Sequence, residues 1–262
     1  MPRATDTTVR RVLEVCAGSL DDAVSATAAG ADRLELCGSL ELGGLTPSIG
    51  LVEQVVGKVN IPVVAMVRPR AAGFHYTEGE FECVRVDAAR LVEAGVDGLV
   101  FGFLDGSGEI DRGRVKELVS LAGSKETVFH RAFDVLSDKE RGIETLADLG
   151  VNRVLTSGGA PSATQGIPML RELTRLARGR VEILPGGGIS AADIGLLMQE
   201  TACRSIHIGA SASRFDPSTT PAAAASLCDL ERLRSGAWRS VDPLKVASVR
   251  CALDGLVHQQ AR

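Results

Sequence analysis

Aromatic side chains are scarce in this chain: one Trp, one Tyr and seven Phe stand among 262 residues. Ala, Val, Leu and Gly take up the space, which predicts an aliphatic core of thin helices on small, branched strands. A dominant charge sign is also lacking. Lys and Arg total 29 against 33 Asp and Glu, and neither sign gathers into a long run, so no electrostatic footprint for nucleic acid is present. No uninterrupted apolar stretch is long enough for a membrane span, and the opening MPRATDTTVR has no apolar core of a secretory signal. A cytoplasmic setting away from the membrane is expected. The six cysteines, at 16, 37, 83, 203, 228 and 251, show no CxxC spacing, which argues for thiols over a disulfide framework. Cys83, Cys203, Cys228 and Cys251 read as core filling. HxH and HExxH spacings are missing as well, so Glu14, Glu35, His130 and His207 supply donor types for a divalent metal without a metal motif.

What the sequence does have is alternation. Short apolar runs at 11–16, 32–37, 62–67, 97–102, 127–132, 152–157, 181–186 and 205–210 are separated by segments of helical period, the pattern of repeated βα units around a parallel sheet. Ser19-Leu-Asp-Asp, Thr46-Pro47-Ser48, Ser137-Asp138 and Ser190-Ala-Ala-Asp193 mark helix starts. AAGADRLEL, EAGVDGLVF and DLGVNRVLT repeat one layout, in which a helix ends at a Gly and a strand begins a few residues later. Eight such units need roughly 250 residues. The prediction is one α/β domain, a TIM (β/α)₈ barrel with its core at about 11–210. An irregular appendage at 211–242, with a mobile loop, precedes a last helix from near Pro243.

Side chains alternate across a strand, so parity separates the barrel axis from the helical layer. In the first two strands Leu13, Val15, Leu34 and Leu36 face one way, leaving Glu14, Cys16, Glu35 and Cys37 to point inward. Neighbouring strands lie about 5 Å apart, which sets Cys16 beside Cys37 at the carboxyl end with the glutamates a layer deeper. The third strand carries the same parity through Met66 to Arg68 and Arg70. The fifth presents His130 or Arg131, with Asp134 just beyond, and parity does not choose between them. His207 shares the inward parity of Ser205 and Gly209.

Barrel enzymes work at this end, and Glu14, Glu35 and His130 are suited to proton transfer while Arg68 and Arg70 hold an anionic or carbonyl oxygen. That set, with Asp134, fits an isomerase, lyase or hydrolase acting on a small sugar, polyol or sugar-phosphate-like substrate. The turns PGGGIS and IGASAS suggest an anion site built from Gly187, Gly188 and Ser211, with Arg131, Thr156 and Ser157 as further donors. Two plainer readings stand beside these. Arg33 and Arg68 would merely neutralise Glu14 and Glu35 inside the barrel, and the glycines would merely form a tight turn. No organic cofactor motif is present.

The ordered series EVC, RLELC, GGLTPS, MVRPR, DGLVFG, VFHRAFD, RVLTSGG and PGGGI, over about 12–214, resembles the CutC copper homeostasis family. The resemblance implies a cytoplasmic barrel, self-association into a homo-oligomer, and Cu(I) held by thiolates, here Cys16 and Cys37 with His207 nearby. Soft sulfur suits Cu(I). Relatives often have a cysteine after the histidine of the eighth strand, where this chain reads Ile206-His207-Ile208.

Overall fold

The computed structural model describes residues 10–220, 223 and 236–260. Eight parallel strands form the centre: β1 Val12–Ala17, β2 Arg33–Leu36, β3 Val63–Met66, β4 Gly98–Phe101, β5 Glu126–Phe129, β6 Arg153–Thr156, β7 Glu182–Pro185 and β8 Ser205–Ile208. They run in the order β7-β6-β5-β4-β3-β2-β1-β8. A parallel bridge from Gly186 to His207 joins the last two and closes the ring. The connecting helices are α1 Leu20–Ala28, α2 Ile49–Val56, α3 Glu78–Glu93, α4 Arg112–Ala122, α5 Lys139–Asp148, α6 Ile167–Ala177 and α7 Ile194–Thr201. The chain is a (β/α)₈ barrel, and none of its described helices is long and apolar enough to cross a membrane.

Local chemistry explains the element starts. Ser19 Oγ accepts from Asp22 N–H at 3.1 Å, Ser48 Oγ from Leu51 N–H at 3.3 Å and Asp138 Oδ1 from Arg141 N–H at 2.9 Å, each satisfying a free donor of a first helical turn. Ser190 and Asp193 form a reciprocal capping box. The three repeated phrases end their helices at Gly30, Gly95 and Gly150, all with positive φ. Two residues later each presents an acceptor to the strand before it. Asp32 Oδ2 takes the Leu13 N–H, Asp97 Oδ2 the Val63 N–H and Asn152 Oδ1 the Thr127 N–H, all at 2.8 Å.

The core has two layers, as alternation requires. Leu13, Val15, Leu34, Leu36, Ile206 and Ile208 face the helices, whereas Cys16, Cys37, Val64, Met66, Val100, Val128, Leu155 and Leu184 fill the barrel. The expectation of a purely aliphatic core needs correction on one flank. Phe101 stacks on Phe103 with centroids 5.6 Å apart, and Phe81 and Tyr76 meet Phe103 edge-on, so the few aromatics are concentrated around β4. The cysteines also divide differently: Cys203 is buried, but Cys83 and Cys251 are exposed on the outer faces of α3 and the last helix, and Cys228 lies outside the described residues.

Beyond the barrel, Ser211–Phe215 and Ala237–Val241 pair antiparallel as β9 and β10, so the segment read as irregular begins and ends as a hairpin. Asp22 Oδ1 accepts the Val241 N–H at 2.6 Å and ties that hairpin to α1. A final helix, α8 Pro243–Gln260, starts where expected.

Candidate functional site

The carboxyl ends of β1, β2, β3, β5 and β8 surround a cavity of about 230 Å³ whose walls include Cys16, Glu35, Cys37, Arg68, His130 and His207. Parity placed Glu14, Cys16, Glu35 and Cys37 correctly because both strands are regular. Cys16 Sγ lies 3.9 Å from Cys37 Sγ, and Cys37 Sγ lies 3.6 Å from Glu35 Oε2. His207 continues the chain, with Nε2 at 3.8 Å from Glu35 Oε2 and Nδ1 donating to Glu14 Oε1 at 2.8 Å. Glu14 then accepts from Arg33 Nε at 2.5 Å. A continuous file of polar groups thus leads from the thiols to a buried guanidinium.

The electrostatics divide the two carboxylates. Burial alone would raise Glu14, but the His207 hydrogen bond and the Arg33 charge outweigh it and hold the carboxyl well below its ordinary range. Glu35 has no such guanidinium, and burial pushes it upward, helped by Glu14 and opposed by His207. His207 itself is raised: burial disfavours its charge, but the two glutamates outweigh that. For Cys16 the Cys37 contact lowers the thiol, and burial with the Glu35 charge outweighs it, whereas Cys37 is driven well up by its contact with Cys16 and by burial. Both sulfurs therefore rest as thiols.

His130 and Arg131 both line the cavity, but His130 is the buried one with the inward strand parity, while Arg131 is half exposed and held by Asp134 and Ser157. Strand β5 ends at Phe129, so His130 keeps the inward parity of Val128 and the chain then enters a 3-10 turn over Arg131–Val135. Its Nδ1 accepts the Ala132 N–H at 3.1 Å. Burial and the charge of Arg68 push its pKa down to about 3, so the ring is neutral. Gly102 makes room for it, since a Cβ there would lie 2.4 Å from ring atoms of His130. Phe74 covers the same ring with centroids 5.0 Å apart.

The remaining predicted residues separate into distinct settings. Arg68 lines the cavity, but its guanidinium binds the carbonyls of Leu42, Gly43, Gly44 and Ala72 at 3.0–3.3 Å rather than either glutamate. Only Arg33 acts as the plainer ion-pair reading requires. Arg70 turns outward to Glu80 and the His75 carbonyl. Asp134 collects Thr156 Oγ1, Ser157 N–H and Oγ, Gly159 N–H and Arg131 Nε, so the hydroxyls of Thr156 and Ser157 already have a partner. Gly187 stands beside Ser157 and Arg131, and Gly188 beside Ser162. Ser211 opens β9 and lines a different recess, with Gly18, Glu41 and Trp238.

Phe74, Leu40 and Gly43 also line the cavity and were not anticipated. Leu40 opens a short 3-10 turn after β2 that ends at Gly43, and Phe74 lies on the loop after β3, where no periodicity reports direction. The flanking Gly73 and the GG pair at 43–44 were the only local signal of a close-packed loop.

Among the described residues two sets of donor atoms are compact enough to grip a metal ion. Cys16, Glu35 and Cys37 bring one ligand atom each within 4.8 Å of one another, and so do Glu14, Glu35 and His207. The first set holds two soft sulfurs, a match for Cu(I), while the second is crossed by the Arg33 charge. Among the described residues no third thiol enters, and Ile208, after His207, faces the helical layer.

Residues 11–212 match the model of the CutC family. A CutC family protein of Treponema denticola is 46% identical over 207 residues, covering 79% of this chain and 84% of that protein. The human copper homeostasis protein cutC homolog is 40% identical over 203 residues, covering 78% and 74%. A crystal structure from Streptococcus agalactiae, assigned there as a CutC copper homeostasis protein, superposes with a TM-score of 0.72 at 34% identity over 76% of this chain and 98% of its own. With the family model, these relatives and the barrel fold in agreement over most of its length, the chain belongs to the CutC family.

Proposed function

We propose that the protein serves copper homeostasis in the cytoplasm by taking one Cu(I) ion between Cys16 and Cys37 at the barrel mouth. The observation that carries this reading is the pair of buried sulfurs 3.9 Å apart on adjacent strands, inside a family whose members are named for copper homeostasis. Cu(I) favours soft thiolates in a low coordination number. Because both sulfurs rest as thiols, capture releases protons, and Glu35 stands 3.6 Å from Cys37 to receive one. Self-association belongs to the same reading.

The test is an anaerobic competition of Cu(I) against a strong chelator, for the wild-type protein and for Cys16→Ser/Cys37→Ser. We expect one-to-one binding that the double variant loses while its barrel still melts cooperatively. Equal retention by both proteins would remove the thiols from the model.

The division of Glu14 from Glu35 supports a second reading, that of an acid–base enzyme acting on a small molecule in the same cavity. Two carboxyl groups with separated proton affinities, joined by a histidine, are the arrangement that lets one group give a proton while the other stabilises charge.

A further inference from the structure

Arg68 is a buried cation without a counter-charge. Its relative exposure is 6%, and its guanidinium partners are four backbone carbonyls. Carbonyl dipoles solvate the guanidinium but do not neutralise it. Among the described residues no carboxylate lies within the 4.0 Å of an ion pair to Arg68, although Glu14, Arg33, Arg131 and His207 at the same mouth all have such partners. The Phe74 ring centroid lies 5.2 Å from Arg68 Cζ and the Tyr76 hydroxyl is close by, neither of which carries a negative charge, and the buried Nε–H of Arg68 makes no well-formed hydrogen bond. A charge in this state is costly unless something brings the opposite sign to it.

A second orphaned donor lines the same cavity. His130 is 3% exposed, and its Nδ1 accepts the Ala132 N–H. That bond fixes the tautomer and puts the ring proton on Nε2, which has no partner either. Leu40, Met66, Phe74 and Leu155 supply an apolar part of the wall, and the other polar groups on it already have partners: Arg131 pairs with Asp134, and Glu35 sits between His207 and Cys37. The hydroxyls that would serve a phosphate, on Thr156 and Ser157, are bound to Asp134. The cavity thus offers one uncompensated positive charge, two unused N–H groups and an apolar wall, in about 230 Å³.

We infer that this cavity binds a small organic monocarboxylate, its carboxylate taken by the Arg68 guanidinium and the His130 imidazole N–H, and its short apolar part set against Met66, Phe74 and Leu155. One negative charge balances Arg68, and two acceptor oxygens answer the two donors. This deepens the acid–base reading by naming its substrate class; the two thiols of the copper reading line the same cavity, so the test is made on metal-free protein.

Calorimetric titration of the metal-free full chain with propionate, propionamide and inorganic phosphate tests it. A ligand of this size is expected to bind in the millimolar range, with propionate at least about tenfold tighter than the neutral amide or phosphate, the factor that a charge-assisted hydrogen bond gives. The His130→Phe variant keeps a ring in place but removes the N–H, and its propionate affinity is expected to fall about tenfold. Arg68 also anchors a loop, so the charge is probed through the ligand instead of by replacing it. In the wild-type protein the ¹⁵N resonance of His130 Nε2 shifts with propionate and stays still with the amide. Equal affinity for acid and amide, unchanged affinity in His130→Phe, or an unmoved Nε2 resonance overturns the proposal. Since no turnover or metal is involved, its failure is read separately from that of the catalytic reading, which activity measurements with Glu35→Gln address, and of the copper reading.

Discussion

At the scale of single residues, the mouth is governed by how each buried polar group is neutralised. Glu14 gains a guanidinium and a histidine, Glu35 only the more distant edge of that histidine, and His130 no acidic partner at all. The His130 case gives a pH prediction with a definite sign. Its folded pKa of about 3 lies below the ordinary 6.5, so between those values the unfolded chain takes up a proton that the folded chain refuses. Stability from this residue is complete above pH 6.5 and is lost as pH falls, at about 1.4 kcal/mol per pH unit. Urea unfolding of wild type and His130→Phe at pH 7 and 4.5 is expected to show the smaller acid loss in the variant, and parallel losses would refute the account. The inward set Glu14, Cys16, Glu35 and Cys37 was readable because period-two alternation holds within β1 and β2. His130 and Arg131 were not separable by the same rule, because the strand stops at Phe129. Arg70 was misplaced by it, because beyond Met66 the chain is loop, and Glu80, the third residue of a capping box on α3, draws the guanidinium outward.

Among the elements, the repeated phrases carry more than a helix stop. Each sets an Asp or Asn two residues after its glycine, and that side chain accepts the first free N–H of the preceding strand. This fixes where each strand begins, a boundary that no hydrophobic pattern specifies. Replacing Asp97 by Ala leaves the Val63 N–H without its 2.8 Å acceptor and is expected to cost about 1 to 3 kcal/mol. Asp97→Asn should recover most of it, since Asn152 does the same work two units on. Denaturant midpoints of the two variants decide the matter, and equal losses would mean that charge, not the acceptor, matters there. The barrel, its helix starts and its strand centres were legible in this way from sequence. The hairpin of β9 and β10 was not, because Ser211–Phe215 reads SASRF, a polar run without alternation, and its anchors are Asp22 on α1 and the carbonyl of Ala210. Pairings between segments this far apart leave no periodic trace. The aromatic cluster escaped for a similar reason: Tyr76, Phe81, Phe101 and Phe103 come from three different segments that only the closed barrel brings together.

For the molecule as a whole, the question is where the folding unit ends. The family match stops at residue 212, yet α8 packs on α1, α7 and β1 and buries Val246, Val249 and Leu253 almost completely. Arg250 on the same helix donates to the Arg11 carbonyl at 3.0 Å and to Asp32 Oδ2 at 2.7 Å, and Asp32 is the acceptor that starts β1. The far end of the chain therefore holds the first strand in place at the amino-terminal face, opposite the mouth. Full burial of a Val or Leu contributes about 1.5 to 3 kcal/mol, so three of them approach the net stability of a whole domain, about 5 to 15 kcal/mol. The 211–262 segment is accordingly proposed as part of one domain with the barrel. A chain ended after Asp242 is expected to lose its cooperative thermal transition. A truncated chain that melts sharply near the wild-type midpoint would show that the barrel at 11–210 folds alone and that α8 is an attachment to it.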